Sequence, residues 1–130
     1  MLKVLENSGN VEYNLKINMG SNKEEVIMSI EPGTSELWIP ITDCINCSGE
    51  LKYSAEESSS FLFLNDNVEN IKTKTTDMSA RWSEDTLSLN ANTNLENFMF
   101  LSVFEEKPVV KHQFQGIFGL GKGSKAPKIL

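Results

Sequence analysis

The chain has 130 residues, 39% of them hydrophobic and 23% charged, with a formal net charge of -6. That is one domain's length with enough apolar material for a core, and its acidity argues against nucleic acid as a partner. No apolar run approaches the roughly 18 residues of a membrane span, and the N-terminal MLKVLENSGNVEYN has neither the apolar stretch of a secretory signal nor the composition of a transit peptide. The compartment stays open.

Period-two patterning dominates and predicts an all-β domain. Val11 to Met19 alternates apolar and polar residues without a break, Gly20-Ser21-Asn22 has turn chemistry, and Glu25 to Ile30 resumes as a strand. The expectation is an early hairpin. Leu37-Trp38-Ile39-Pro40-Ile41 reads as a short buried strand with Pro40 at its end or on an edge. Ser54–Ser60 is polar and reads as an exposed loop. Short strands are then expected near Ser60–Leu64, Asn70–Thr75, Ser79–Trp82, Thr86–Leu89, Phe98–Phe104 and Gly116–Leu120, giving a sandwich or barrel-like lobe. A single domain is expected over 1–130, with an N-terminal strand or arm over 1–10 and a tail over 122–130 holding Lys122, Lys125 and Lys128.

Several residues invite chemistry and decline it. Cys44 and Cys47 are the whole thiol inventory and His112 the single histidine, too few for a structural zinc site. No metal and no cofactor is expected. Gly116-Ile117-Phe118-Gly119-Leu120-Gly121-Lys122 fits the opening of a phosphate loop, but Gly123 replaces the required hydroxyl and a glycine-rich strand is the simpler account. Glu24-Glu25 and Glu56-Glu57 read as solvated turns, and Trp38 and Trp82 as core or cleft-wall aromatics. The cysteines alone leave both a local disulfide and two buried thiols open.

The segment Ile30-Glu31-Pro32-Gly33-Thr34-Ser35-Glu36-Leu37-Trp38-Ile39-Pro40 resembles the active-site stretch of pepsin-like aspartic proteases, hydrophobic-D-T-G-S-S-x-L-W-V-P. The likeness continues in order. Tyr13 to Gly20 is similar to the family's opening hairpin, Ser58-Ser59-Ser60-Phe61 to S-S-T-F, Ser83-Glu84-Asp85-Thr86-Leu87 to G-x-D-T-V, and Phe114 to Gly121 to F-D-G-I-L-G-L-G. The resemblance implies one lobe of the acid-protease fold, and it places Cys44 and Cys47 where many members carry a loop disulfide. Such a bond would imply a secretory or organellar lumen.

The departures carry the functional expectation. Glu31 replaces the catalytic aspartate and Pro32 the following threonine, whose hydroxyl and N–H lock the family's two active-site loops. Thr73-Lys74-Thr75-Thr76 stands where the family has its Y-G-x-G flap. On this reading the 130 residues amount to one lobe, without a second aspartate-bearing lobe. The expected function is that of a catalytically inactive accessory subunit. It would dock on another protein subunit through the face that otherwise packs on a second lobe, with a homodimer as one form. Any residual cleft is expected around Glu31, Thr34, Trp38 and Thr73, with Glu31, Pro32 and Gly33 as the degenerate site.

Overall fold

Alternating residues become strands in the computed structural model, which describes residues 2–7, 10–31, 35–47, 53–72, 76–90, 92–108 and 115–121. Strand β1 (Leu2–Asn7) pairs antiparallel with β2 (Asn10–Met19), and β2 with β3 (Glu24–Glu31). In β2, Leu15, Ile17 and Met19 are buried on one face while Lys16 on the other faces solvent, as the period-two pattern requires; Tyr13 shares the Leu15 side yet is exposed toward the strand's start. The turn between β2 and β3 needs Gly20. Its φ is +85°, and a Cβ there would lie 3.1 Å from both Ser58 Oγ and Tyr53 Cε1.

Five further expected strands map onto β4 (Leu37–Ile45), β5 (Leu62–Phe63), β6 (Glu69–Lys72), β8 (Thr93–Pro108) and β9 (Gly116–Gly119). The sixth element, β7 (Thr76–Asn90), unites two segments that the sequence separates. The sheet order is β1-β2-β3-β9-β4-β8-β7-β5, with β6 also on β7. A second contact of β2 with β7, at Asn18↔Ser88 and Met19↔Leu87, closes β2, β3, β9, β4, β8 and β7 into a barrel. Among the described residues there is no helix.

Each barrel strand sends residues into one core cluster: Ile17, Met28, Phe118, Ile39, Phe100 and Leu87 represent β2, β3, β9, β4, β8 and β7 in turn. A smaller cluster lies on the opposite face, where Trp38, Met78, Ala80, Leu101, Val103 and Ile117 meet. Strands β4 and β9 serve both, which is why Leu37–Ile41 and Gly116–Gly119 are buried throughout. The all-β, single-lobe expectation holds.

Three details differ from the sequence reading. Strand β4 runs through Pro40 to Ile45; the effect of the missing N–H is local, for the ladder to β8 shifts register between Pro40 and Ile45. Strand β7 continues through Ser83-Glu84-Asp85 because its polar side chains find buried partners: Ser83 Oγ lies 2.8 Å from Ser102 Oγ, and Asp85 is fully hydrogen-bonded. The Ser54–Ser60 loop is only partly exposed, since Ala55 and Ser58 are buried where it folds over the β2–β3 turn.

Candidate functional site

Strand β9 positions the active-site-like segment. It lies between β3, which it pairs in parallel, and β4, which it pairs antiparallel. Glu31 ends β3 opposite Gly119. Leu120 donates its N–H to the Glu31 carbonyl at 2.9 Å, and Gly119 donates to the Glu36 carbonyl at 3.1 Å. Consecutive amides of one strand end therefore pin both sides of the connection that carries Pro32, Gly33 and Thr34. This close approach requires Gly116, where a Cβ would overlap the Trp38 carbonyl oxygen and come within 2.7 Å of Met28 Sδ.

The Glu31 side chain is half-buried. Among the described residues it takes one side-chain hydrogen bond, from Ser29 Oγ at 3.4 Å. That is long against the roughly 2.5–3.0 Å of an ordinary O–H···O bond, so the carboxylate is weakly held. Ser29 and Glu31 share a face of β3 with Asn14, which stands opposite Ser29 on β2. Asn14 is 3% exposed, yet among the described residues neither atom of its amide has a hydrogen-bond partner. Trp38, opposite Ile117, is buried on the same side, its indole N–H also without a partner among the described residues.

Of the residues singled out from the sequence, Glu31 and Trp38 are placed in this region. Pro32, Gly33, Thr34 and Thr73, together with Lys74, Thr75, His112, Phe114 and the 122–130 tail, lie outside the described residues. Cys44 and Cys47 are joined as a disulfide with Cα atoms 5.7 Å apart, and both pack against the Trp38 cluster. Trp82 packs against that cluster too. The acidic pairs are not merely solvated turns. Glu24 Oε1 accepts the Ser54 N–H at 3.0 Å, and Glu25 lies 3.5 Å from the Lys16 ammonium. The Glu56 carboxyl is hydrogen-bonded to that of Asp43, which raises its pKa above the ordinary carboxylate value. No metal-holding group of His, Cys, Asp or Glu exists among the described residues.

The sequence reading missed one buried polar knot. Asp85 is fully buried and accepts hydrogen bonds from Tyr53 Oη (2.6 Å), Ser58 Oγ (2.8 Å), Ser60 Oγ and the Thr86 N–H (2.7 Å). Two stretches noted separately, Ser58–Phe61 and Ser83–Leu87, thus meet in space. A buried carboxylate needs donors of this kind, so the serine-rich stretch was the available signal. Chemically, the knot saturates its carboxylate, whereas Glu31 in the β3–β4 region is half-buried and weakly held.

Comparison with known proteins agrees with this arrangement. A family model described as eukaryotic aspartyl protease matches residues 12–128. Pepsin A of Rhinolophus ferrumequinum is 27% identical over 125 residues, covering 94% of this chain and 32% of that protein. Cathepsin D of Gallus gallus is 27% identical over 129 residues, covering 91% and 31% respectively. The chain spans about a third of the length of these curated relatives.

Proposed function

This chain belongs to the eukaryotic aspartyl protease family, and from that premise we propose that it is a catalytically inactive lobe serving as an interaction subunit of a larger protein assembly. Glu31, standing where the family places its aspartate, carries the reading. Hydrolysis of this type uses two carboxylates that share one proton across a water, because like charges at close quarters cannot both ionise. The extra methylene of Glu31 shifts its carboxyl by about 1.5 Å, one C–C bond, whereas reacting groups must sit within about 0.5 Å of the productive position.

Two further losses support the same reading. Pro32 has neither the hydroxyl nor the N–H of the family's threonine. Thr73-Lys74-Thr75-Thr76 contains no aromatic residue to fold over a substrate and no glycine for a tight hairpin tip. What is left is a barrel with surfaces to offer, and the partner is another protein subunit, a second copy included.

The test is an assay at acidic pH with a general protein substrate, with and without a transition-state-analogue inhibitor of aspartic proteases. The expected result is no inhibitor-sensitive cleavage. Cleavage that the inhibitor blocks, and that Glu31→Gln abolishes, would overturn the proposal. Coverage of about a third of pepsin A and cathepsin D favours a second reading. In it, a second lobe, from another copy or from a longer polypeptide, faces Glu31 with its own carboxylate. The denatured intact mass of the protein isolated from its source tests the longer-polypeptide form, which a mass well above 14.6 kDa supports, and the inhibitor assay above tests the form built from two copies.

A further inference from the structure

A cavity of 210 Å³ opens beside β5, lined by Ile41, Asp43, Ala55, Glu56, Phe61 and Phe63. Ile41 and Ala55 are buried, and the Phe61 and Phe63 rings meet edge to face with centroids 4.8 Å apart. The Arg81 guanidinium lies 5.3 Å from the Phe63 centroid and holds that ring from β7. The charged part of the lining is acidic: Asp43 and Glu56 are both exposed, with their carboxyls in contact. The result is an apolar slot with a negative mouth.

The size and surroundings narrow the occupant. Pockets for small molecules measure roughly 300–1,000 Å³, so this one has room for a single side chain. Leu62, Phe63, Leu64 and Val68 are all exposed nearby, more apolar surface in one short stretch than scattered surface residues provide. Strand β5 ends the sheet order and bonds to β7 alone, so among the described residues its outer edge is unpaired.

We infer that this slot and edge receive an extended segment of another protein that carries a lysine or arginine beside apolar residues. Such a side chain lays its methylene stem along Phe61, Phe63, Ile41 and Ala55 while its cationic head meets Asp43 and Glu56. The two exposed carboxyls favour a cation at the mouth, and the chain's net charge of -6 disfavours an acidic alternative. The partner's backbone can add to the free edge of β5. The surface shares no residue with the Glu31 site, so the assignment is independent of whether Glu31 supports hydrolysis.

The test titrates isotope-labelled protein with the peptide acetyl-Leu-Lys-Leu-Lys-Leu-amide, followed by NMR, beside peptides with Gln or Glu in place of Lys. Saturating shifts confined to residues 41–43 and 55–68 are expected for the lysine peptide. The Asp43→Asn, Glu56→Gln double variant should weaken binding by about fivefold to tenfold. Phe63→Ser, a change at an exposed position whose spectrum reports its own folding, should weaken it as well. Absence of binding, equal binding of the Gln peptide, shifts centred elsewhere, or full affinity in the double variant would each overturn the inference.

Discussion

Tyr53 donates its phenolic hydrogen to Asp85 Oδ2 at 2.6 Å, joining the segment after β4 to the middle of β7. The bond is buried and is one of four to the same carboxylate, the others coming from Ser58, Ser60 and Thr86. Ser58 Oγ in turn accepts the Ser21 N–H at 3.0 Å, so the knot reaches the β2–β3 turn. A loop that the composition marks as solvent-exposed is thereby fastened across the end of the barrel.

Removing the acceptor should be costly. Asp85→Ala strands three side-chain hydroxyls in or near a buried site, and the expected loss of unfolding free energy is about 3 kcal/mol or more. Tyr53→Phe removes one charge-assisted bond and should cost about 1.5–3 kcal/mol. Urea unfolding measures both. A double-mutant cycle should give well under the sum of the single losses, because the two residues share one interaction.

The same contact sets an alkaline limit on stability. Burial, reinforced by the hydrogen bond to Asp85 and its charge, drives the Tyr53 pKa far above the ordinary phenol value. In the unfolded chain the phenol titrates near 10. The folded-state pKa is raised, so above about pH 10 the folded state holds a proton that the unfolded state has lost, and stability falls as pH rises. Unfolding free energies measured upward from pH 9 should decline. Tyr53→Phe should remove this contribution; an unchanged decline would contradict the assignment.

Two glycines should prove intolerant for different reasons. Gly116→Ala places a methyl into the Trp38 carbonyl, which is backbone and cannot rotate aside, and an overpacking cost of about 1–3 kcal/mol or more follows. Gly20→Ala fails mainly through its φ of +85°, with a strain of about 1–3 kcal/mol. Thermal or denaturant unfolding distinguishes these changes from surface substitutions, which stay within about 0.5 kcal/mol.

Much of the fold is legible in the sequence wherever a strand has one wet and one dry face. Val11–Met19 and Glu25–Ile30 announce their hairpin because alternation and turn glycine agree. The reading weakens where buried residues are polar. Ser83 and Asp85 look like a break between strands, yet β7 passes straight through them, since their partners Ser102, Tyr53 and Ser58 come from distant segments. At the site, Glu31 is identifiable from the motif alone. The unpartnered amide of Asn14 is not, because an asparagine on the polar face of an alternating strand carries no sign that the face will be covered.

Restoring the motif should not restore hydrolysis. Glu31→Asp with Pro32→Thr recreates the first two residues of the family's D-T-G, but the 73–76 stretch still lacks its aromatic lid, and one carboxylate cannot act as both acid and base. The expected outcome of a fluorogenic peptide assay at acidic pH is no inhibitor-sensitive turnover in the double variant. Turnover there would show that a second carboxylate reaches the site.

Asn14 tests whether a buried amide beside the Glu31 site is left unpaired. A buried amide without partners costs about 1–3 kcal/mol relative to an apolar side chain of similar size, and Asn14 sits opposite Ser29 on the face that ends in Glu31. Asn14→Leu should therefore raise the unfolding free energy by about 1–2 kcal/mol. Destabilisation on substitution would instead mean that the amide is satisfied in the free protein.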